Sequence, residues 1–239
     1  MTRGLLAAAL TLLAAMPQAR AQVPNARYRQ FETEHFRVVF PREMEPFARR
    51  AAAGAEWAYA ALARDLVGPP PGRIALVLSD GSDAPNASAT PIPRNRVVLD
   101  IAPQIVSRQL NNYPDWVDLT LAHELTHVFH LDRAEGVWRV PRALFGRFPL
   151  FFPAFYQPVW MIEGLATYEE SRLTGAGRAD GSYFRTILAA QARAGEFHPV
   201  DAGNGIAPLW PAGQTPYAYG SHYLRSLARA HGDSTIPEL

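Results

Sequence analysis

The sequence predicts an α+β fold, with a small N-terminal sheet lobe (about residues 30–103), a mostly helical C-terminal lobe (about 104–239) and a cleft between them. In the first lobe, short β-rich runs alternate with one long helical pattern, whereas the pattern beyond residue 103 is helical only. An apolar content of 48% in 239 residues is enough to bury the core of one large domain.

Residues 1–21 have the three parts of a secretory signal peptide. Arg3 gives a positive start, Leu5–Met16 is an apolar run, and Ala19-Arg20-Ala21 is a small-residue cleavage site. The run is short for an uncleaved membrane anchor, and no cysteine follows it to carry a lipid. We therefore expect a periplasmic or secreted protein of residues 22–239, without a transmembrane span in the mature chain.

Charge and cysteine content exclude several classes of function. Removal of Arg3 and Arg20 takes the formal net charge from +1 to −1, which argues against a nucleic-acid partner. The chain has no cysteine, so disulfides, thiol ligands and a cysteine nucleophile are all excluded.

The elements of the sheet lobe follow from apolar runs and from the residues that interrupt them. We expect strands at His35–Phe40, Ile74–Leu78 and Arg96–Ile101, a crossing helix at 43–66, and a loop at 79–95. The strand at 96–101, which directly precedes the helical lobe, is expected to be either a sheet edge beside the cleft or an ordinary core strand.

The helical lobe is expected to contain helices near 104–111, 114–131, 159–173, 181–194 and 215–231. Between them, 132–158 is proline-rich and predicted to be an ordered, non-helical excursion. Its run Phe148–Pro153 suggests a lid, a partner surface, a lipid-contacting patch or core, and partial burial is expected. The short tail after the last helix suggests one domain of a longer protein.

The most informative string is His123-Glu124-Leu125-Thr126-His127. Histidines four residues apart lie on one face of a helix, so both rings can converge on one Zn²⁺ ion. Glu124, beside the first histidine, is placed to act as a general base. Pro114 suits the first helical position, and Asp115 lies in the first turn. The alternative is two histidines and a glutamate on an ordinary core helix.

A second motif, Trp160–Glu169, contains the sequence W-x-x-E-G-x-A on another predicted helix. A catalytic zinc site needs three protein ligands and an open position, and Glu163 can supply the third ligand. Gly164 and Ala166 are small and allow two helices to approach closely. The pairing of the two motifs resembles the gluzincins, and this resemblance implies a zincin-like fold with one Zn²⁺ per chain held by His123, His127 and Glu163.

The segment Pro216–Gly220 opens the last predicted helix. It resembles the Tyr-x-x-Gly segment of the aminopeptidase branch of the gluzincins. The resemblance implies that Tyr217 donates a hydrogen bond to the oxyanion of the tetrahedral intermediate, with Tyr219 as the second candidate. The alternative for Tyr217 is a packed aromatic residue at a helix start.

The run from about 111 to 232 resembles the peptidase-MA-like domains of exported bacterial proteins, some of which continue into a β-propeller. The segments that match these domains include Asn112–Trp116, His130–Arg133 and Phe145–Arg147. The gap between His127 and Glu163 is longer than in typical aminopeptidases, and the G-x-M-E-N-type motif is missing. Aminopeptidase specificity is therefore not implied.

Several polar side chains near these motifs have two interpretations. His130 is expected to pack or lie at the surface rather than bind the metal. Thr167, Glu169, Glu170 and Asp132 are candidates for orienting the histidines, although Glu169 and Glu170 also fit a solvated helix face. Three arginines are expected to be solvated, with binding of a substrate carboxylate as the alternative: Arg172, Arg178 and Arg185.

The sequence thus predicts zinc-dependent hydrolysis of peptide bonds in the cell envelope or outside the cell. The expected partners are a peptide or protein substrate and a C-terminal β-propeller or other envelope protein. The alternative is a catalytically inactive zincin-like domain that acts as a peptide-binding or scaffold module.

Overall fold

A computed structural model of the chain describes residues 26–66, 68–83, 85–102, 113–199, 203–204 and 210–238. The expected signal peptide and the helix expected near 104–111 lie outside these residues. The described part contains five strands: β1 Tyr28–Glu32, β2 Phe36–Pro41, β3 Ile74–Ser79, β4 Asn86–Thr90 and β5 Arg96–Asp100. It also contains six α-helices: α1 Glu45–Asp65, α2 Trp116–Asp132, α3 Arg139–Phe145, α4 Val159–Thr174, α5 Ser182–Ala194 and α6 Thr215–His231. None of the helices in the described ranges is long and apolar enough to cross a bilayer.

The predicted α+β class is confirmed, and the strands form one mixed five-stranded sheet in the order β1-β2-β3-β5-β4. β2, β3 and β5 are parallel, with α1 as the crossover between β2 and β3. β1 and β4 pair antiparallel at the two edges. The predicted loop over 79–95 is therefore wrong in part, because Asn86–Thr90 is a strand.

The prediction also missed β1, for a related reason. Both edge strands are short and polar, with the sequences Tyr-Arg-Gln-Phe-Glu and Asn-Ala-Ser-Ala-Thr, and neither has a fully buried residue. They adopt the strand conformation because they pair with β2 and β5 in the sheet. This pairing is not contained in the propensities of their own residues. Polar and short edge strands also limit unwanted pairing with other chains.

One face of the sheet packs against α1 and α2 to form the main core. Inward-facing strand residues such as Phe36, Leu76 and Leu99 are fully buried there. Most of the buried face of α1 is alanine, which lets this helix lie close to the sheet and to α2. The core therefore fixes α2, the helix that carries His123 and His127, against the sheet.

The helical lobe is organised by a close crossing of α4 and α6. At the crossing, a Cβ atom placed on Gly220 would lie 2.1 Å from the carbonyl oxygen of Trp160 and 2.7 Å from Cα of Gly164. The expectation that a small residue at 164 permits close helix approach is thus confirmed. The crossing brings the start of α6, with Tyr217, next to Glu163 on α4.

Gly220→Ala is expected to lower the free energy of unfolding by about 1–3 kcal/mol, because the methyl group has no space beside backbone atoms. Gly213→Ala is the matched control, since a Cβ at Gly213 meets no atom within 4 Å. Urea unfolding followed by circular dichroism measures both. Equal stability of the two variants would contradict the tight crossing.

The segment 132–158 differs from its prediction in two respects. It contains the helix α3 and 3-10 turns at Gly136–Trp138, Pro149–Phe151 and Pro153–Tyr156, so it is not free of helical structure. Most of its large apolar side chains are exposed, and Phe152 is the fully buried exception in the run 148–153. The expected partial burial of that run is therefore wrong for Phe148 and Leu150.

Candidate metal centre

The helix α2 begins with an N-cap that fixes its position. The carboxylate of Asp115 accepts hydrogen bonds from the backbone amides of Val117 and Asp118, at 2.8 and 3.3 Å. The helix therefore begins at Trp116, two residues later than predicted, because Asp115 caps it from outside. Arg50 on α1 bridges Asp115 and Asp118, at 2.7 and 2.8 Å, and ties this end of α2 to α1.

Three predicted ligands meet between α2 and α4. Nε2 of His123 and Nε2 of His127 are 3.1 Å apart, and Oε2 of Glu163 lies 3.5 and 3.4 Å from them. Among the described residues this is the one group of potential ligands whose donor atoms all lie within 4.8 Å of one another. Both histidines are buried, and Glu163 is partly buried.

The surroundings of these atoms favour a cation over an internal hydrogen-bond network. Oε2 of Glu163 and Nδ1 of His127 are buried without a hydrogen-bond partner. The two Nε2 atoms face each other, and a hydrogen bond between them would still leave Oε2 of Glu163 without a partner. Buried polar atoms without a partner are rare. One metal ion bound by Nε2 of His123, Nε2 of His127 and Oε2 of Glu163 would give all three acceptors a partner. The residues therefore can hold one metal ion.

The second nitrogen of His123 has a carboxylate partner, and it is one of the candidates that the sequence offers for this role. Nδ1 lies 2.9 Å from Oε2 of Glu170, a fully buried residue two turns after Glu163 on α4. The tautomer that leaves Nε2 free for a metal is the one whose Nδ1–H donates to Glu170. Glu170 is therefore placed to orient the ring of His123. The solvated-face interpretation of Glu169 and Glu170 is wrong, since both are buried.

Arg178 compensates the buried charge of Glu170. Its Nε donates to Oε1 of Glu170 at 2.8 Å, its Nη2 donates to Oε2 at 2.6 Å, and its backbone amide donates at 3.1 Å. The same Nη2 lies 2.7 Å from Nδ1 of His123. The expectation that Arg178 is solvated is wrong, because it is 9% exposed and its guanidinium lies behind the first ligand.

The ionisation of these groups reflects their burial and their charged neighbours. Burial raises the pKa of Glu170, but the charge and hydrogen bonds of Arg178 lower it to about 2. Burial and Arg178 lower the pKa of His123, but the neighbouring carboxylates of Glu163 and Glu170 raise it to about 9. Burial also opposes the charge on Glu163, and its two histidines hold its pKa far below the usual range. A metal ion therefore competes with a proton for this site.

Glu124 is adjacent to His123 in the chain, and Tyr217 lies beside the candidate ligands. Glu124 is buried on the same turn as His123, and the ring of Tyr217 stacks on that of His123 with centroids 6.4 Å apart. Burial raises the pKa of the Tyr217 hydroxyl, and the negative charges of Glu163 and Glu124 raise it further. Tyr217 therefore stays protonated and can donate a hydrogen bond beside the three ligands.

Tyr219, the second candidate for the hydrogen bond to the oxyanion, and His130 both lie away from the candidate ligands. The hydroxyl of Tyr219 donates to Gln191 on α5, and its ring contacts Phe197 and His198. His130 lines an apolar cavity with residues that include Phe129, and burial lowers the pKa of His130 to about 4. The structure brings Tyr217 to the ligands and does not bring Tyr219 or His130.

Of the two expectations for the strand at 96–101, the ordinary core strand is confirmed. β5 is paired on both sides, by β3 and β4, so it is an interior strand. The edge is β4, which contacts α2 along the same side of the sheet. An edge strand has unpaired backbone groups, so β4 is the edge beside α2 with which an extended chain could pair.

Asp132, the other candidate for orienting a histidine, lies at the far end of α2. Its carboxylate accepts hydrogen bonds from Asn95, Arg142 and Arg147. It therefore anchors the segment that follows α2 and makes no contact with the ligand group.

Comparisons of the sequence with protein-family models and with curated proteins find no match.

Proposed function

We propose that this chain is a zinc metallopeptidase of the gluzincin type, with His123, His127 and Glu163 as the metal ligands. The observation that carries the proposal is the spacing of the three donor atoms, 3.1 to 3.5 Å. Ligands at 2.0–2.1 Å around a tetrahedral zinc are separated by about 3.3–3.4 Å. Two neutral imidazoles and one carboxylate also match the ligand preference of zinc.

The ligand count supports a catalytic rather than a structural site. Structural zinc sites have four protein ligands, whereas catalytic sites have three and keep one position for water or substrate. Among the described residues no fourth His, Asp or Glu joins the group. A candidate general base, Glu124, follows the first ligand on α2, and a candidate hydrogen-bond donor, Tyr217, stacks on the ring of His123.

Each side chain then has a distinct role in cleaving a peptide bond. When bound, zinc supplies Lewis-acid polarisation of a carbonyl and makes water a stronger nucleophile near neutral pH. Glu124 takes a proton from the attacking water and passes it to the leaving amine. Tyr217 donates to the oxygen on which negative charge develops. Glu170, held by Arg178, keeps Nε2 of His123 directed at the metal position.

The substrate class follows from the exposed sheet edge. β4 lies beside α2 and its outer backbone groups are unpaired within the described residues. An extended peptide can add to such an edge through main-chain hydrogen bonds, which depend little on sequence. A peptide or protein substrate is therefore favoured over a small amide.

Metal removal tests this proposal. The purified mature chain is expected to contain one zinc per molecule and to cleave labelled casein. A chelator is expected to abolish cleavage, and added zinc to restore it, because the ligands remain in place. Zinc content is measured by atomic emission. A chain that takes up no zinc would refute the ligand assignment, and a zinc-loaded chain that cleaves neither casein nor a peptide library would favour the inactive binding module.

A further inference from the structure

The segment Gly136–Ile162 exposes an unusual amount of apolar surface. Leu144 and Phe145 on the short helix α3 are 73% and 66% exposed, and Leu150 on the following turn is 58% exposed. Val137, Val140 and Phe148 are also exposed in the same segment. Single exposed apolar residues are ordinary, but a contiguous group marks an interaction site.

This exposure is not the result of a loosely held loop. Arg142 donates to the buried Asp132 and to the carbonyl oxygen of Phe151, and its guanidinium lies 3.7 Å from the ring centroid of the buried Phe152. Arg147 donates to Asp132 and also to Asn95 in the sheet lobe. The segment is therefore fixed by a buried ionic network while its apolar side chains point to solvent.

The charge of the segment has one sign. Residues 136–162 contain three arginines and no Asp or Glu. An open cavity of about 490 Å³ lies beside the segment, and its charged lining is Arg133, Arg139, Arg142, Arg147, Asp132 and Glu135. The four arginines outnumber the two acids, so the lining keeps a net positive charge. Arg139 forms no ion pair with any described residue, so its charge is available to a partner.

We propose that Gly136–Ile162 docks the protein on the surface of an anionic phospholipid bilayer, with Leu144, Phe145 and Leu150 in the acyl boundary and Arg139 beside the phosphates. Apolar and aromatic side chains next to arginines are the composition that binds this interface. Each basic residue near an anionic surface adds to the attraction, and acidic residues oppose it. The inference is independent of catalysis, because none of these residues contacts the ligand group.

A second copy of the chain is a poorer occupant. A two-fold contact through this patch would place the cationic segment of one copy against the same segment of the other, and like charges across an interface are unfavourable. An anionic bilayer instead complements both features of the patch, the apolar side chains and the positive charge.

The position of the patch relates it to the candidate metal centre. Asp132, which anchors the segment, lies five residues after His127 on α2, or roughly 7–8 Å along the helix. At its other end the segment runs into α4, where Val159 is exposed one turn before Glu163. Docking through this patch would therefore hold the ligand group near the membrane surface.

Vesicle co-sedimentation tests the proposal. The mature chain, without residues 1–21 whose apolar run would bind lipid itself, is mixed with phosphatidylcholine vesicles that contain or lack phosphatidylglycerol. Binding is expected only with phosphatidylglycerol and is expected to weaken with added salt. Leu144→Ser combined with Phe145→Ser is expected to weaken it at least tenfold, and Arg139→Glu severalfold.

Trp57→Ser is the matched control, because Trp57 is an exposed aromatic residue on α1, outside the patch. Unchanged melting temperatures show that the variants are folded, as expected for exposed positions. The proposal is overturned if the parent chain does not bind anionic vesicles, or if the double variant binds as well as Trp57→Ser. A dimer of the parent that the double variant loses, without vesicle binding, would also overturn it by assigning the patch to a second copy.

Discussion

Glu124→Gln is expected to reduce peptide hydrolysis by about 10²–10⁴-fold while leaving the zinc content unchanged. Glutamine has nearly the same shape as glutamate but cannot take a proton from water. Glu124 is not a member of the group His123, His127 and Glu163, so the metal ligands should be unaffected. The loss should appear in kcat more than in KM, because proton transfer occurs only in the transition state.

Glu196→Gln is the control, since Glu196 is exposed and remote from the ligands in sequence. Its activity should equal that of the parent chain. If Glu124→Gln also lost its zinc, the effect on activity would report a damaged site rather than a missing base. If Glu124→Gln kept full activity with zinc bound, the assignment of Glu124 as the general base would be wrong.

Helices of the second lobe could be predicted because their signals are local. α4 and α5 end at Gly175 and Gly195, which adopt the left-handed conformation with φ of 68° and 70°. α6 starts with a proline in its first turn, Pro216. Boundaries that depend on such residues agreed with the prediction within one residue for these three helices.

The features that the sequence did not reveal depend on contacts between distant segments. β4 is a strand only because β5 pairs with it, and Asn86–Thr90 alone has the composition of a loop. Arg178 is eight residues from Glu170 and 55 from His123, so nothing in the local pattern distinguishes it from a solvated arginine. Glu170, by contrast, is a candidate that the sequence itself offers, and it lies two helical turns after Glu163 on the same face.

The apolar segment 132–158 shows that burial cannot be predicted from composition alone. A run such as Phe148–Pro153 has the same composition whether it lies in a core or at an interface, so composition alone favoured burial. The pairing of Arg142 and Arg147 with Asp132 determines which side of the segment is buried, because it directs the polar side inward. Three-dimensional charge pairing thus determines which apolar residues remain exposed.

Glu170→Ala is expected to lower the free energy of unfolding by about 3–5 kcal/mol, because it leaves the buried guanidinium of Arg178 without its counter-charge. The carboxylate also accepts three hydrogen bonds from Arg178, and its loss would leave these donors unsatisfied. Urea unfolding of the variant at neutral pH measures the effect. Arg225→Ala is a suitable control, since Arg225 pairs with the partly exposed Asp180 and its removal should cost about 1 kcal/mol or less.

The double variant Glu170→Leu with Arg178→Met separates stability from metal binding. Replacing both members of a buried ion pair with apolar residues is often neutral, so stability should largely return. Zinc affinity should nevertheless stay about 10–100-fold below that of the parent chain, because Nδ1 of His123 has lost the carboxylate that orients it. A competition titration with a zinc-binding dye measures this. Parent-like affinity in the stable double variant would show that Glu170 and Arg178 only hold the helices together, whereas weakened affinity without loss of stability would assign them to positioning the ligand.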